Sequence, residues 1–338
     1  MPVFSKRLGI DLGTANSLVY VAGEGVVLEE PTVVAVSMDD NRVVAVGNEA
    51  KDMLGRTPGN IVASRPMRNG VIADYAVTEA MLRYFIDRVV GRSRLFKPEV
   101  MIGVPSGVTS VERRAVVDAA MGAGAKIAYL IEEPLAAAIG AKVPIATPAG
   151  NMVLDIGGGL TEAAVLSLGG VVAHASVRMA GDVLDEAVSS YAKRKYDLII
   201  GDGMAEEVKI QIGDALPLES GKEKNMEVRG RDAIAGLPKT VKLSSGEIHE
   251  AILPTLQQII STVRRVLEKI PPELSSDIIE RGIVMTGGTS LLTNLPHLIT
   301  QEIGVPAHVA DDPLMCVVKG TGTALENLDL YRRGISKR

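Results

Sequence analysis

The chain has no tryptophan, and aromatic residues make up only 3% of it. That scarcity argues against the aromatic stacking platforms that hold single-stranded nucleic acid. A single cysteine, Cys316, excludes an internal disulfide, and a lone thiol fits a reducing cytosol. No apolar run reaches the roughly 18 residues that a membrane-spanning helix needs. Residues 1–7 lack the long apolar core of a secretory signal, so none is expected. Positive charge is not in surplus either. Lys and Arg number 36 against 41 Asp and Glu, a net charge of −5, so nothing in the bulk electrostatics points to nucleic acid. The Walker pattern Gly-x-x-x-x-Gly-Lys-Ser/Thr is also absent.

What is present is globular. Hydrophobic residues make up 46% and charged residues 23% of 338 residues, enough for two domains with large cores. Strands are predicted at 8–11, 17–22, 25–29, 32–36, 42–46 and 100–104, from β-branched runs broken by glycine. Met81, Leu82, Phe85, Ile86 and Val89 mark one face of a helix over 77–90. Thr109 or Ser110 caps a helix over 111–122, and Pro134 opens another at 134–140. Helices follow at 182–195, 204–211 and 247–270, the last stopped by Pro271 and Pro272. Residues 216–243 are polar and turn-rich, as an edge subdomain would be.

One unit occurs twice. Residues 8–19 align with 152–163: an apolar strand, an aspartate, a glycine turn and a second strand. Each copy is followed by Gly-Val-Val, at 25–27 and 170–172. Two such units half a chain apart predict two similar lobes facing a cleft. Glycine permits close backbone approach and positive φ, and successive free N–H groups in such turns form an anion-binding nest. Two facing nests would grip a polyphosphate. Asp11 and Asp155 would meet there, which calls for a hard cation such as Mg²⁺ between them. Thr14, Asn16 and Ser17 add polar groups to the first turn. A third turn, Gly287, Gly288, Thr289 and Ser290, offers a wall for adenine or ribose, or a simple strand-to-helix turn. Glu206 and Lys209, three apart on one helix, read either as a surface ion pair or as part of the site. Glu133 either stabilises a helix N-terminus or reaches the cleft to orient an attacking water.

Five segments carry a resemblance: residues 10–16, 65–74, 131–134, 155–159 and 276–282. Together they resemble the MreB family, bacterial actin homologues that determine rod shape. The likeness runs along nearly the whole chain, and 65–74 and 276–282 are its most specific parts. The resemblance implies an α/β, actin-like fold, a duplicated RNase H-like architecture with four subdomains around a nucleotide cleft. It divides the chain into subdomain IA (1–32, 66–145 and 315–338), IB (33–65), IIA (146–181 and 246–314) and IIB (182–245). It implies ATP and Mg²⁺, with Thr14, Ala15, Asn16, Gly157, Gly158 and Gly159 at the phosphates. Glu206, Lys209, Gly287 and Gly288, with Thr289 and Ser290 beside them, would flank the nucleoside. Asp11 and Asp155 would act on the Mg²⁺ shell, and Glu133 would position water. The family pattern has a threonine after the third glycine; here it is Leu160. Leucine cannot hydrogen-bond water, which implies intact binding with slower hydrolysis.

The resemblance also implies self-association into paired antiparallel protofilaments, attachment to the inner face of the cytoplasmic membrane, and cell-wall elongation proteins as partners. Leu95 and Phe96 sit among Arg92, Arg94 and Lys97. They read as a loop that dips into anionic lipid or as a lead into the next strand; Val3 and Phe4 could add a short second anchor. The helix over 111–122 would lie near the protofilament contact or simply pack on the core. The alternatives are a chaperone-type ATPase, against which the chain shows no substrate domain, and a small-molecule kinase, for which no substrate motif is evident.

Overall fold

The computed structural model describes residues 5–91, 97–218 and 222–337. The chain opens with a meander of β1 (Arg7–Leu12), β2 (Asn16–Val21) and β3 (Gly25–Pro31), followed by β4 (Val34–Ser37), β5 (Val43–Val46), α1 (Asn48–Met53) and β6 (Ile61–Ser64). The short β7 (Met67–Arg68) and β8 (Val71–Ile72) lead into α2 (Tyr75–Val90), β9 (Glu99–Val104), α3 (Ser110–Ala123), β10 (Ile127–Glu132) and α4 (Glu133–Gly140). A second meander follows: β11 (Asn151–Ile156), β12 (Thr161–Ser167) and β13 (Gly170–Val177). Then come α5 (Gly181–Tyr196), β14 (Leu198–Ile199), α6 (Asp202–Ile212), β15 (Asn225–Asp232), β16 (Pro238–Ser244), α7 (Ser245–Leu267) and α8 (Pro272–Arg281). The chain finishes with β17 (Ile283–Thr286), α9 (Leu295–Ile303), β18 (Ala307–Val309), α10 (Cys316–Glu326) and β19 (Ile335–Lys337).

The two meanders found new partners in the same way. Strand β1 pairs antiparallel with β2 and parallel with β9; β11 pairs antiparallel with β12 and parallel with β17. The sheets run β19-β10-β9-β1-β2-β3 and β13-β12-β11-β17-β18. The internal repeat is therefore a repeat of topology. Every residue of β11 is buried, because helices cover the sheet and the other lobe lies beyond its end. Each lobe carries a small three-stranded insert, β5-β4-β6 in the first and β14-β15-β16 in the second. The polar stretch expected at 216–243 is the β15–β16 hairpin of that second insert.

Local signals acted as expected. The face of α2 buries Met81, Leu82, Phe85 and Ile86. Thr109 caps α3 in a full capping box with Glu112, satisfying backbone donors that the first turn leaves free. Its Val116 and Val117 are buried, Arg113 pairs with Glu132, and Arg114 pairs with Asp118, so this helix packs on the core. Helix α7 runs through Pro254 and ends at Leu267, three residues before the expected end. Pro271 disfavours helical φ/ψ at the residue before it.

Separate hydrophobic cores fill the two lobes. A further cluster joins them, with Ile131, Leu135 and Val317 from the first lobe packing with Val153, Ala164 and Leu166 from the second. Here α4 and α10 cross with backbones in contact. A Cβ on Gly320 would fall on the Ala136 carbonyl, and one on Gly140 on the Cys316 carbonyl. Only glycine allows that approach. Among the described residues, no helix is long and apolar enough to cross a membrane.

Candidate functional site

A cavity of about 410 Å³ opens between the lobes. Its floor is built from the two repeated turns. Asp11 and Asp155 are the penultimate residues of β1 and β11; both line the cavity with Gly13, Thr14, Ala15, Asn16, Gly157, Gly158 and Gly159. Thr286 Oγ1 donates to Asp155 Oδ1 at 2.7 Å, fixing that carboxylate from the neighbouring strand. Glu133, the first residue of α4, also lines the cavity. Neither it nor Glu132 makes a side-chain cap for α4.

These carboxylates lie away from bulk water and close to one another. Loss of solvation, then repulsion from Asp155, pushes Asp11 up to about 7. Asp155 is also raised by loss of solvation, against the opposing Thr286 hydrogen bond. Glu133 lies well above the ordinary carboxylate range, first through burial and then through Glu162, Asp11 and Asp155. Glu162, at 1% exposure, is pushed up to about 8 by burial. Such a group of strained acids fits a site that receives positive charge.

Of the two routes expected for the glycines, close approach and positive φ, the phosphate-turn glycines use the first. None of Gly13, Gly157, Gly158 or Gly159 has positive φ; of the predicted site glycines only Gly287 does, at 79°. Their need is closeness. A Cβ on Gly158 would lie 2.8 Å from the Ala15 Cβ, and one on Gly159 2.6 Å from Thr14 Oγ1. The second turn is thereby pressed against the first across the cleft. Thr14 Oγ1 accepts from the Gly70 N–H at 3.0 Å. Ser17 does not contribute to the turn's polar face: it is fully buried and hydrogen-bonds Thr32 Oγ1 at 2.8 Å.

The opposite wall comes from α5, α6 and the 3₁₀ turn Gly288–Leu291. The α5 N-terminus sits against the second glycine turn, with the Asp182 N–H donating to the Gly158 carbonyl at 2.8 Å. Gly287, Gly288 and Thr289 line the cavity, and Thr289 Oγ1 donates to the Gly157 carbonyl at 2.8 Å. Ser290 does not line it; its buried hydroxyl closes the turn on the Gly287 carbonyl at 2.6 Å. Glu206 and Lys209 both line the cavity but do not pair with each other. Lys209 Nζ bonds Asp185 at 2.9 Å and the Gly181 carbonyl at 3.3 Å, while Glu206 faces Lys51 of α1 across the cleft at 3.7 Å. Leu160 lines the cavity beside Gly70, and Thr161 turns away to donate to the Met179 carbonyl.

Asp182, Asp185, Ile210, Leu291 and Leu314 also line the cavity, and no sequence motif singled them out. Asp185, the partner that Lys209 takes in place of Glu206, is 24 residues away and on another helix, so spacing within one helix does not reveal it. Leu95 and Phe96, like Val3 and Phe4, lie outside the described residues.

The sequence model for "MreB/Mbl protein" matches residues 5–333. The cell shape-determining protein MreB of Escherichia coli (strain K12) is 53% identical over 97% of this chain and 96% of its own length. The cell shape-determining protein Mbl of Bacillus subtilis is 48% identical over 99% of this chain and 100% of its own. Among solved structures, MreB5 of Spiroplasma citri bound to AMPPNP superposes with a TM-score of 0.92 at 36% identity, over 98% of this chain and 99% of that one. The MamK double helical filament superposes at 0.81 with 21% identity, over 95% and 99%, a likeness of fold. The fold is actin-like. Matched by that model almost from end to end, and sharing about half its residues with both MreB and Mbl, the chain belongs to the MreB/Mbl family.

Proposed function

We propose that the chain is an ATP-binding, actin-like cytoskeletal subunit that polymerises and contributes to cell shape. The carrying observation is the interlobe cavity floored by two matched aspartate–glycine turns. The relatives point the same way: Spiroplasma MreB5 is bound to AMPPNP or to ADP, and the E. coli and B. subtilis proteins determine cell shape. In this reading Thr14, Ala15, Asn16, Gly157, Gly158 and Gly159 hold the phosphates through backbone N–H groups and the Thr14 hydroxyl. Glu206, Lys209, Gly287, Gly288 and Thr289 flank the nucleoside, and Ser290 keeps their turn in shape. Ile210 and Leu291 are 68% and 57% exposed at the cavity, and a purine face would cover them. Glu133 orients the attacking water. The subdomains follow the division given above: 1–32, 66–145 and 315–338; 33–65; 146–181 and 246–314; 182–245.

Mg²⁺ suits the donor set. Two solvent-poor carboxylates, Asp11 and Asp155, face the cavity; a cation there would favour the charged form of both and offset the repulsion that Asp155 exerts on Asp11. Among the described residues no three acidic, His or Cys side chains can hold an ion alone. Water and phosphate oxygens would complete the shell. When bound, the ion neutralises charge on the phosphates; the protein orients and excludes water.

Self-association into protofilaments, a membrane contact through residues 92–97 and a link to wall-building proteins extend the same reading. Leu160 favours a variant of it, in which nucleotide is bound firmly and hydrolysed slowly. Pelleting and negative-stain microscopy with Mg²⁺-ATP, with phosphate release followed in the same tube, tests all of this. Filaments with little phosphate release are expected. No filaments with any nucleotide, with or without lipid, would leave a non-polymerising ATPase or small-molecule kinase.

A further inference from the structure

The reacting groups of the proposed site belong to different lobes. Glu133 and Asp11 come from the first, Asp155 and the second glycine turn from the other. One buried contact ties the strand ends that carry them. Glu162 stands opposite Asp155 in the β11–β12 ladder, so both side chains leave the same face of the sheet. Its Oε1 accepts the backbone N–H of Ser106 at 3.0 Å. Ser106 lies just beyond β9, whose last residue, Val104, is paired with Glu132, the neighbour of Glu133. This hydrogen bond joins the β9–β10 end bearing Glu133 to the β11–β12 hairpin bearing Asp155.

The contact is costly to bury. Glu162 Oε2 and Ser106 Oγ are both inaccessible and without partners among the described residues, and an unpartnered buried carboxylate oxygen calls for an explanation. An apolar side chain would fill the same space at less cost. Packing therefore does not account for a glutamate here, whereas setting the lobes in register does.

We propose that Glu162 is a positioning residue for nucleotide hydrolysis, holding the Glu133 strand end in register with the phosphate-gripping turn through Ser106. This rests on the function proposed above. Displacement of an attacking group by about 1 Å can cost about 100-fold in rate, and binding, which draws on many contacts along both turns, is less sensitive.

The test compares Glu162→Leu and Glu162→Gln with the parent, reading single-turnover release of labelled phosphate, nucleotide affinity and thermal midpoint. Glu162→Leu is expected to hydrolyse at least about tenfold more slowly, with affinity within about threefold and a midpoint no lower. Glu162→Gln, which keeps an acceptor oxygen, should stay within about threefold of the parent rate. Parent-like hydrolysis by Glu162→Leu overturns the proposal, as does a rate loss matched by an equal loss of affinity. Should Glu162→Leu fail to fold, a tenfold loss in Glu162→Gln overturns it alone. Parent protein that binds no nucleotide in the same titration refutes the underlying function instead.

Discussion

Leu160 lines the cavity beside Gly70, and in the proposed function it stands where a hydroxyl would help hold the attacking water. Its replacement by threonine should raise single-turnover phosphate release about tenfold or more, since one positioned hydrogen bond is worth on the order of 10²–10³ in rate. Unchanged release in Leu160→Thr would mean that the leucine is not the brake. The acids behind it make a second prediction, for nucleotide-free protein. Asp11 stands at about 7 and Glu162 at about 8, against ordinary values of 3.8 and 4.5. Between those limits the folded state keeps protons that the unfolded chain has released. Stability therefore falls as pH rises through the window. The thermal midpoint should be several degrees lower at pH 8 than at pH 5.5, and Asp11→Asn should shrink the difference. A midpoint that rises over this range would contradict the shifts. Residue identity was legible here and residue surroundings were not. Asp11, Asp155 and Glu133 stand out in the sequence because each sits beside a glycine turn or a helix start. Ser17 looked equally available, yet strand alternation turns it inward to Thr32, and nothing local marks which face of β2 is covered.

Elements were the most readable level. The strand–turn–strand units, the face of α2 and the cap of α3 follow from periodicities and end signals that act over a few residues. The cap can be tested directly. Thr109→Ala removes both hydroxyl hydrogen bonds of the box and should cost about 1 kcal/mol, read as a lower urea midpoint with unchanged slope. Amphipathic spacing continues to Ile270, whereas α7 ends at Leu267; Pro271 disfavours helix at Ile270 alone and so explains one of those three residues. The glycine turns were found correctly for a partly mistaken reason. Gly158 and Gly159 have no positive φ, and the demand on these two comes from Thr14, Ala15 and Asn69 of the opposing lobe, which a sequence window does not contain.

The whole molecule is a pair of lobes fused at α4 and α10 and bridged at the cleft mouth by Lys51 and Glu206. Both partners are more than a third exposed, so the pair is weak, at most about 1 kcal/mol, and screened by salt. Lys51→Ala should speed release of a fluorescent ATP analogue by about two- to fivefold at low ionic strength. The difference should vanish in high salt; an identical release rate at low salt would show that the pair does not restrain the cleft. The repeat in the sequence announced two lobes. It could not announce this bridge, whose partners lie 155 positions apart in the numbering and on separate inserts.

The path of the chain through the hinge bears on how the protein is made. The second lobe's sheet is drawn from β11 to β18, one stretch of sequence, whereas the first lobe's sheet takes its edge strand β19 and its hinge helix α10 from after that stretch. Synthesis proceeds from the N-terminus, and domains tend to fold as units. On the ribosome, the lobe that starts first must therefore wait, its β10 edge unpaired and α4 uncovered, until the lobe that starts second has emerged.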